Sequence, residues 1–252
     1  KRSKKFSVKK LKKRNIRVKT GINRKYGLTF YKSYFSSKKK LLPYLDAKIA
    51  ISKDYFTKNK KSKWITNEYS RKRSHLLRSK YDCILSTSKS INEDNSKLNC
   101  RIDGLENKSP SVVIIDRKLR LKRGIKIIKE RGNRKIYLFT SVFNKAKENY
   151  FKKRGVRIIR LNKMKTQKDF IDILFKLNSF GYSRILLESG LNFMNFSLRS
   201  RIIQNLYIFK TNNNLYKNGI NYSSPNLLKK IKLNKKIKVN LFGDSLYKIN
   251  LK

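Results

Sequence analysis

The sequence predicts an α/β fold: a mainly parallel central sheet with helices on both faces and closing antiparallel strands. Three observations carry this. From residue 112 onward, short apolar runs alternate with segments whose apolar residues recur at helical spacing, the pattern of strands buried on both faces between crossover helices. Two of those runs end in an acid, Asp116 and Glu188. Residues 237–241 and 247–251 instead alternate apolar and polar, as half-buried antiparallel strands do.

The elements follow in order. Residues 7–14 place Val8 and Leu11 on one helical face, residues 16–19 alternate like a strand, and Gly21 ends it. Residues 22–42 are polar, aromatic and basic and read as a linker. Residues 44–50 form the next strand. Thr66 caps a helix running to about residue 80, with Glu68 in its first turn, where the helix dipole favours an acid. Residues 83–85 are a short strand, and 86–109, rich in Ser, Asn and Asp, a loop. Strands follow at 112–115, 135–139, 156–159 and 184–187, and helices at 144–153 and 169–180. The second helix carries Phe170, Ile171, Leu174, Phe175 and Leu177 at helical spacing. Gly190 opens a further helix, and 206–209 is a late strand.

Charge is the outlier of the composition: 66 Lys and Arg against 15 Asp and Glu give a formal net charge of +51. Such a field attracts polyanions. Yet the basic residues spread along the whole chain, with denser runs at 1–19 and 229–238, beside abundant Asn and Ile. AT-rich codons produce that composition whatever the function, so nucleic acid is expected only as a nonspecific partner. The two cysteines, Cys83 and Cys100, lack metal-ligand spacing, and His75 is the only histidine. A zinc site with several His ligands is excluded and no metal is expected. No disulfide framework is implied, which points to a reducing, cytoplasmic compartment. No apolar run approaches the ~20 residues of a membrane helix. The chain lacks an initiator Met and is expected to be the cut end of a longer protein.

Two segments carry chemistry. In Ile185-Leu186-Leu187-Glu188-Ser189-Gly190-Leu191-Asn192 an apolar strand ends in an acid and a small-residue turn opens a helix. Ligands of open α/β sheets collect beyond the carboxyl ends of strands, where Gly190 lets the backbone approach and free helix N–H groups hold phosphate. In Ser62-Lys63-Trp64-Ile65-Thr66 the only Trp sits at a strand-to-helix junction, followed by Arg78, Asp94, Leu98 and Arg101. That combination suits a planar, phosphorylated ligand, because a guanidinium grips phosphate through two parallel hydrogen bonds. Each residue also has a plain structural reading: Trp64 as core, Thr66 and Asp94 as caps, Glu188 as a solvated acid, the arginines as surface.

Read together, these segments resemble the reductase domain of the bifunctional riboflavin-biosynthesis deaminase/reductase, from about residue 43 onward. Pro43-Tyr44 with Lys48-Ile49-Ala50 is similar to that family's first reductase strand, and residues 62–66 to its S-x-W-I-T signature. Leu76-Leu77-Arg78 and Asp82-Cys83-Ile84-Leu85 follow at family spacing. Residues 92–101 resemble its A-D-D-P-x-L-x-x-R loop, and Glu188-Ser189-Gly190 its E-G-G or E-A-G turn. Residues 14–21 resemble the end of the family's deaminase domain, whose H-A-E and P-C zinc motifs are absent here.

The resemblance implies a dihydrofolate-reductase-like fold, NADPH as hydride donor, a phosphoribosylaminouracil substrate reduced to its ribityl form, and a homodimer. It implies a domain layout of 1–36 as a deaminase remnant, 37–42 as linker and 43–252 as reductase. Ala50, Trp64, Ser90, Asp94 and the turn of residues 190–196, with Gly190, Leu191, Asn192 and Phe193, would contact the dinucleotide. Ser62, Arg78, Leu98, Arg101 and Glu188 would contact the substrate. The chain departs from the family pattern in places: S-x-D-G reads Ser52-Lys53-Asp54-Tyr55, D-D-P reads Asp94-Asn95-Ser96, and the Ser expected after Asp116 is Arg117. An acidic pair before the late strand reads Gln204-Asn205. The alternative function is a nonenzymatic basic protein, binding nucleic acid or serving as a scaffold on a degraded reductase fold.

Overall fold

A computed structural model describes residues 4–163, 165–223 and 226–251, without the side chains of 4–6 and Thr29. Its centre is an 8-stranded sheet. In chain order the strands are β1 (Tyr44–Ile51), β3 (Cys83–Thr87), β4 (Ser111–Ile115), β5 (Ile136–Thr140), β6 (Val156–Arg160), β7 (Arg184–Glu188), β8 (Asn205–Lys210) and β10 (Ser245–Asn250). They are arranged β10-β8-β1-β7-β3-β4-β5-β6. Every neighbouring pair is parallel except β10 on β8. A two-stranded ribbon, β2 (Lys58–Asn59) with β9 (Gly219–Ile220), stands apart from it.

The strands read as apolar runs because the sheet is buried on both faces. On one face Leu45, Leu85, Val113, Phe139 and Leu187 pack with Phe170, Ile173, Leu174 and Leu177 of α8 (Gln167–Ser179) and Leu191 and Met194 of α9 (Leu191–Arg199). On the other, Ile84, Val112, Ile114, Leu138 and Leu186 pack with Ile91 of α5 (Ser88–Asp94), Ile127 and Ile128 of α6 (Lys126–Lys129) and Phe151 of α7 (Lys145–Lys152). The capping box at Thr166 and Asp169 starts α8 where the apolar periodicity begins.

The predicted strands at 44–50, 83–85, 112–115, 135–139, 156–159, 184–187 and 206–209 are all present, to within a residue or two at their ends. Other readings are corrected. Residues 16–19 pair with no strand and follow α1 (Lys4–Lys12) as irregular chain. The stretch 22–42 holds two helices, α2 (Arg24–Phe30) and α3 (Lys32–Lys40), so most of the linker expected at 37–42 is helix. No residue of α3 is buried, so no apolar stripe marks it. It docks through polar contacts, Ser37 Oγ donating to Asn178 Oδ1 at 2.5 Å. Asn67, not Thr66, caps α4 (Glu68–Arg78): its side chain accepts from Ser70 N. The loop expected at 86–109 contains α5, capped by Thr87, a polar helix with Ser88 and Ile91 buried. Residues 237–241 form no strand: a single bridge joins Lys236 to Tyr247, and their alternation reflects Ile237, Val239 and Leu241 packing near Phe209 and Leu246.

Candidate functional site

The carboxyl ends of β1, β7, β3 and β4 open on a cleft of about 1040 Å³. Its basic side chains far outnumber its acids, Glu93, Asp94 and Glu188. The cleft gathers Ala50, Ser62, Trp64, Arg78, Ser90, Asp94, Leu98, Arg101, Glu188, Gly190, Leu191, Asn192 and Phe193, whereas Met194 and Asn195 of the stretch 190–196 are buried and do not line it.

Glu188 ends β7 in register with Lys48 of β1 and is 8% exposed. Its carboxylate meets Arg78 of α4 edge to edge: Nε donates to Oε1 at 2.6 Å and Nη2 to Oε2 at 3.0 Å. Lys48 Nζ lies 3.8 Å from Oε2. Burial alone would raise the Glu188 pKa, but the Arg78 guanidinium, with Lys48 behind it, outweighs burial and holds the carboxyl at about 2. Glu188 is therefore a fixed anion. Burial lowers the pKa of Lys48, an effect that Glu188 opposes.

Arg78 is committed on its other side as well. Its Nη1 donates to the Asn99 carbonyl at 3.2 Å and lies 3.3 Å from His75 Nδ1. His75 Nδ1 is 2.8 Å from the same carbonyl, which assigns the proton to Nδ1. Burial, then the Arg78 charge, pushes the His75 pKa down to about 4, so the ring is neutral near pH 7. Arg78 thus ties α4, the Asn99 loop and β7 into one wall.

Arg101 is differently placed. It is exposed and donates to Asn99 Oδ1 at 3.1 Å. The loop before it is held from beneath by Arg134, whose Nη1 and Nη2 donate to the carbonyls of Leu98 (3.1 Å) and Lys97 (3.0 Å). Leu98 adopts φ 46° and is 6% exposed. Nothing in the local sequence marks Arg134 as a support, because its partners lie 36 and 37 residues away.

Across the cleft, Gly190 N donates to Ser90 Oγ at 2.9 Å, joining the turn after β7 to α5. Gly190 has φ −66° and ψ 164°, a conformation open to any residue. A Cβ built there would meet Ser90 Oγ at 3.4 Å and nothing else within 4 Å. The backbone therefore does not demand glycine; what it keeps open is cleft space at the head of a nine-residue helix with no acid in its first turn. Trp64 is 50% exposed, so the core reading of this residue fails. Its ring lies under the Arg71 guanidinium at 5.0 Å and Lys63 Nζ at 5.3 Å. Ser62 Oγ accepts from Trp64 N at 3.2 Å and shapes that turn. Asp94 is exposed, with Lys58 Nζ at 3.9 Å. Where the family pattern has Gly, Tyr55 takes φ 67°, in the left-handed region that glycine favours.

These features fit a nicotinamide dinucleotide. There is an open helix N-terminus for phosphate, a half-exposed indole for a flat ring, and a carboxylate fixed beside an ammonium. Sequence reasoning missed Lys48, His75 and Arg134 as site residues. Lys48 could have been found from its strand position opposite Glu188; the other two carry no local signal.

Residues 43–211 match the family model of the RibD C-terminal domain. The riboflavin biosynthesis protein RibD of Buchnera aphidicola subsp. Baizongia pistaciae is 31% identical over 217 residues, covering 80% of this chain and 57% of that protein. The chain thus spans little more than half of that relative. The 5-amino-6-(5-phosphoribosylamino)uracil reductase of Buchnera aphidicola subsp. Acyrthosiphon pisum is 32% identical over 166 residues, covering 60% of this chain and 76% of that enzyme. Among solved structures, RibD of Acinetobacter baumannii superposes with a TM-score of 0.77 at 18% identity, over 96% of this chain and 67% of that one. The fold is dihydrofolate-reductase-like, and this chain belongs to the RibD C-terminal domain family.

Proposed function

We propose that this chain reduces 5-amino-6-(5-phosphoribosylamino)uracil to the 5-phosphoribitylamino product of riboflavin biosynthesis, with NADPH as the reductant. The observation that carries the reading is the single cleft in which Glu188, Arg101, Trp64 and the Gly190 turn converge. When bound, the nicotinamide supplies the hydride that converts the ribosyl group into an open ribityl chain. The residues of this chain bind and align. Arg101, on a loop braced by Arg134, takes the ribose phosphate. Glu188, held ionised by Arg78 and Lys48, accepts hydrogen bonds from sugar hydroxyls or ring N–H groups and does not release a proton near pH 7. Lys48 holds its proton at the same wall, and its lowered pKa eases release. Ser90 and the head of α9 face the dinucleotide phosphates, with Trp64 beside it.

The same reading makes residues 43–252 the reductase and 1–36 the end of a deaminase-type domain, and expects a homodimer in the cytoplasm. Among the described residues no helix is long and apolar enough to cross a membrane. The test is a titration of the purified chain with NADPH at high salt, followed by turnover of the substrate. Saturable binding and substrate-dependent oxidation support the reading. Binding to nucleic acid alone, with a steep salt dependence, would establish the alternative of a nonenzymatic basic protein.

A further inference from the structure

Tyr222 lines the cleft from a strap, residues 212–223, beyond the residues that match the family. The strap is fastened to the turn after β1. Leu215 and Tyr216 N–H donate to the Asp54 carboxylate, and Thr57 N and Oγ1 both donate to Asn221 Oδ1 at 3.0 Å. β2 pairs with β9, and Gly219 lies so close to Phe56 that a Cβ there would sit 2.2 Å from the ring. The strap then reaches both helices that flank the Ser90–Gly190 contact. Asn195 of α9 donates to Ser223 Oγ at 2.9 Å. The Tyr222 ring lies 5.2 Å from Lys58 Nζ and 4.7 Å from Lys89 Nζ, Lys89 being in the first turn of α5.

Tyr222 is 52% exposed at the cleft mouth, although an aromatic side chain gains most from burial. Its ring orders two ammonium groups without cancelling their charge, as a carboxylate would. Their counter-ions are Glu93, which pairs with Lys58 and lies 3.9 Å from Lys89 Nζ, and Asp94, whose Oδ1 lies 3.9 Å from Lys58 Nζ. Both ammonium groups reach the Glu93 carboxylate, so an anion is already held between them. We propose that Lys58 and Lys89, ordered by Tyr222, are a clamp for the diphosphate of the dinucleotide, with Tyr222 as the positioning residue. The diphosphate is chosen over the substrate phosphate because Lys89 adjoins Ser90, whose Oγ receives the Gly190 N–H, whereas Arg101 lies on the Asn99 loop beside Arg78. The clamp rests on the reading of the cleft as a dinucleotide site.

The experiment measures NADPH binding to the full chain by cofactor fluorescence, without substrate and at fixed salt, with stopped-flow dissociation. Tyr222→Ala is expected to raise Kd about tenfold, mostly through faster dissociation. Tyr222→Phe, which keeps the ring, is expected to bind like wild type. The double variant Lys58→Gln, Lys89→Gln is expected to match Tyr222→Ala and to flatten the salt dependence; it decides the matter if Tyr222→Ala fails to fold. Wild-type NADPH affinity in Tyr222→Ala or in the double variant overturns the clamp alone. A wild-type chain that binds no nicotinamide dinucleotide overturns the reading of the cleft and the clamp with it.

Discussion

Arg78 and Glu188, 110 residues apart, form a two-point ion pair inside the cleft, with side-chain exposures of 12% and 9%. Arg78 is therefore a wall residue, its Nε, Nη1 and Nη2 committed to Glu188 and the Asn99 carbonyl, and Glu188 is set in charge and orientation.

Glu188→Gln removes the charge that compensates a buried guanidinium. It is expected to cut turnover and also to destabilise the fold by roughly 3 kcal/mol, read by urea denaturation. The pH dependence has a definite sign. The folded-state pKa is depressed to about 2 from 4.5, so the pair stabilises fully above the ordinary carboxylate range and is lost as pH falls through about 2. The variant should lack that acid-side loss. An unchanged denaturation midpoint near pH 7 would show that the pair does not form.

Arg101→Lys keeps the charge and loses the two-point fork. The expected cost is about 1–3 kcal/mol in substrate KM, with NADPH affinity unchanged. Equal losses for both ligands would remove Arg101 from the substrate subsite.

Trp64, the only Trp, is half-exposed and stacked with Arg71. NADPH addition is expected to quench its emission in parallel with binding measured by calorimetry. Unaltered Trp64 emission at saturation would place the dinucleotide elsewhere.

Asn205→Asp tests the buried junction between β1 and β8. Asp46, 2% exposed, accepts from Tyr81 OH at 2.6 Å and from Asn205 Nδ2 at 2.7 Å, and burial raises its pKa. A second carboxylate there should destabilise the fold by about 3–5 kcal/mol near pH 7. The raised folded-state pKa fixes the sign: the variant is least penalised at acid pH and loses stability as pH rises through the shared pKa. Thermal unfolding at pH 5 and pH 8 measures it, and equal losses at both would discount the like-charge explanation.

The sequence by itself determined most of the sheet and most of the residues that meet in the cleft. Apolar runs such as those of β4 and β7 identify themselves because a strand buried on both faces excludes polar residues over its whole length. The cleft residues fall largely in the segments that follow β1, β3 and β7, because the carboxyl edge of a parallel sheet is built from the turns that follow its strands. Where burial is slight, the signal vanishes: α3 buries nothing and α5 little, so neither stretch carries an apolar helical stripe in the sequence. The alternation at 237–241 was real, but it recorded packing against Phe209 and not a ladder. Tertiary structure alone decided what each charge does. Whether Arg78 meets a phosphate or Glu188, whether Arg134 braces the Leu98 loop, and whether Tyr222 reaches Lys58 and Lys89 depend on groups 36 to 164 residues apart. Composition and spacing do not encode such distances; the folded sheet brings the groups together, and at Glu188 the neighbouring Arg78 charge, acting against burial, fixes the ionisation that results.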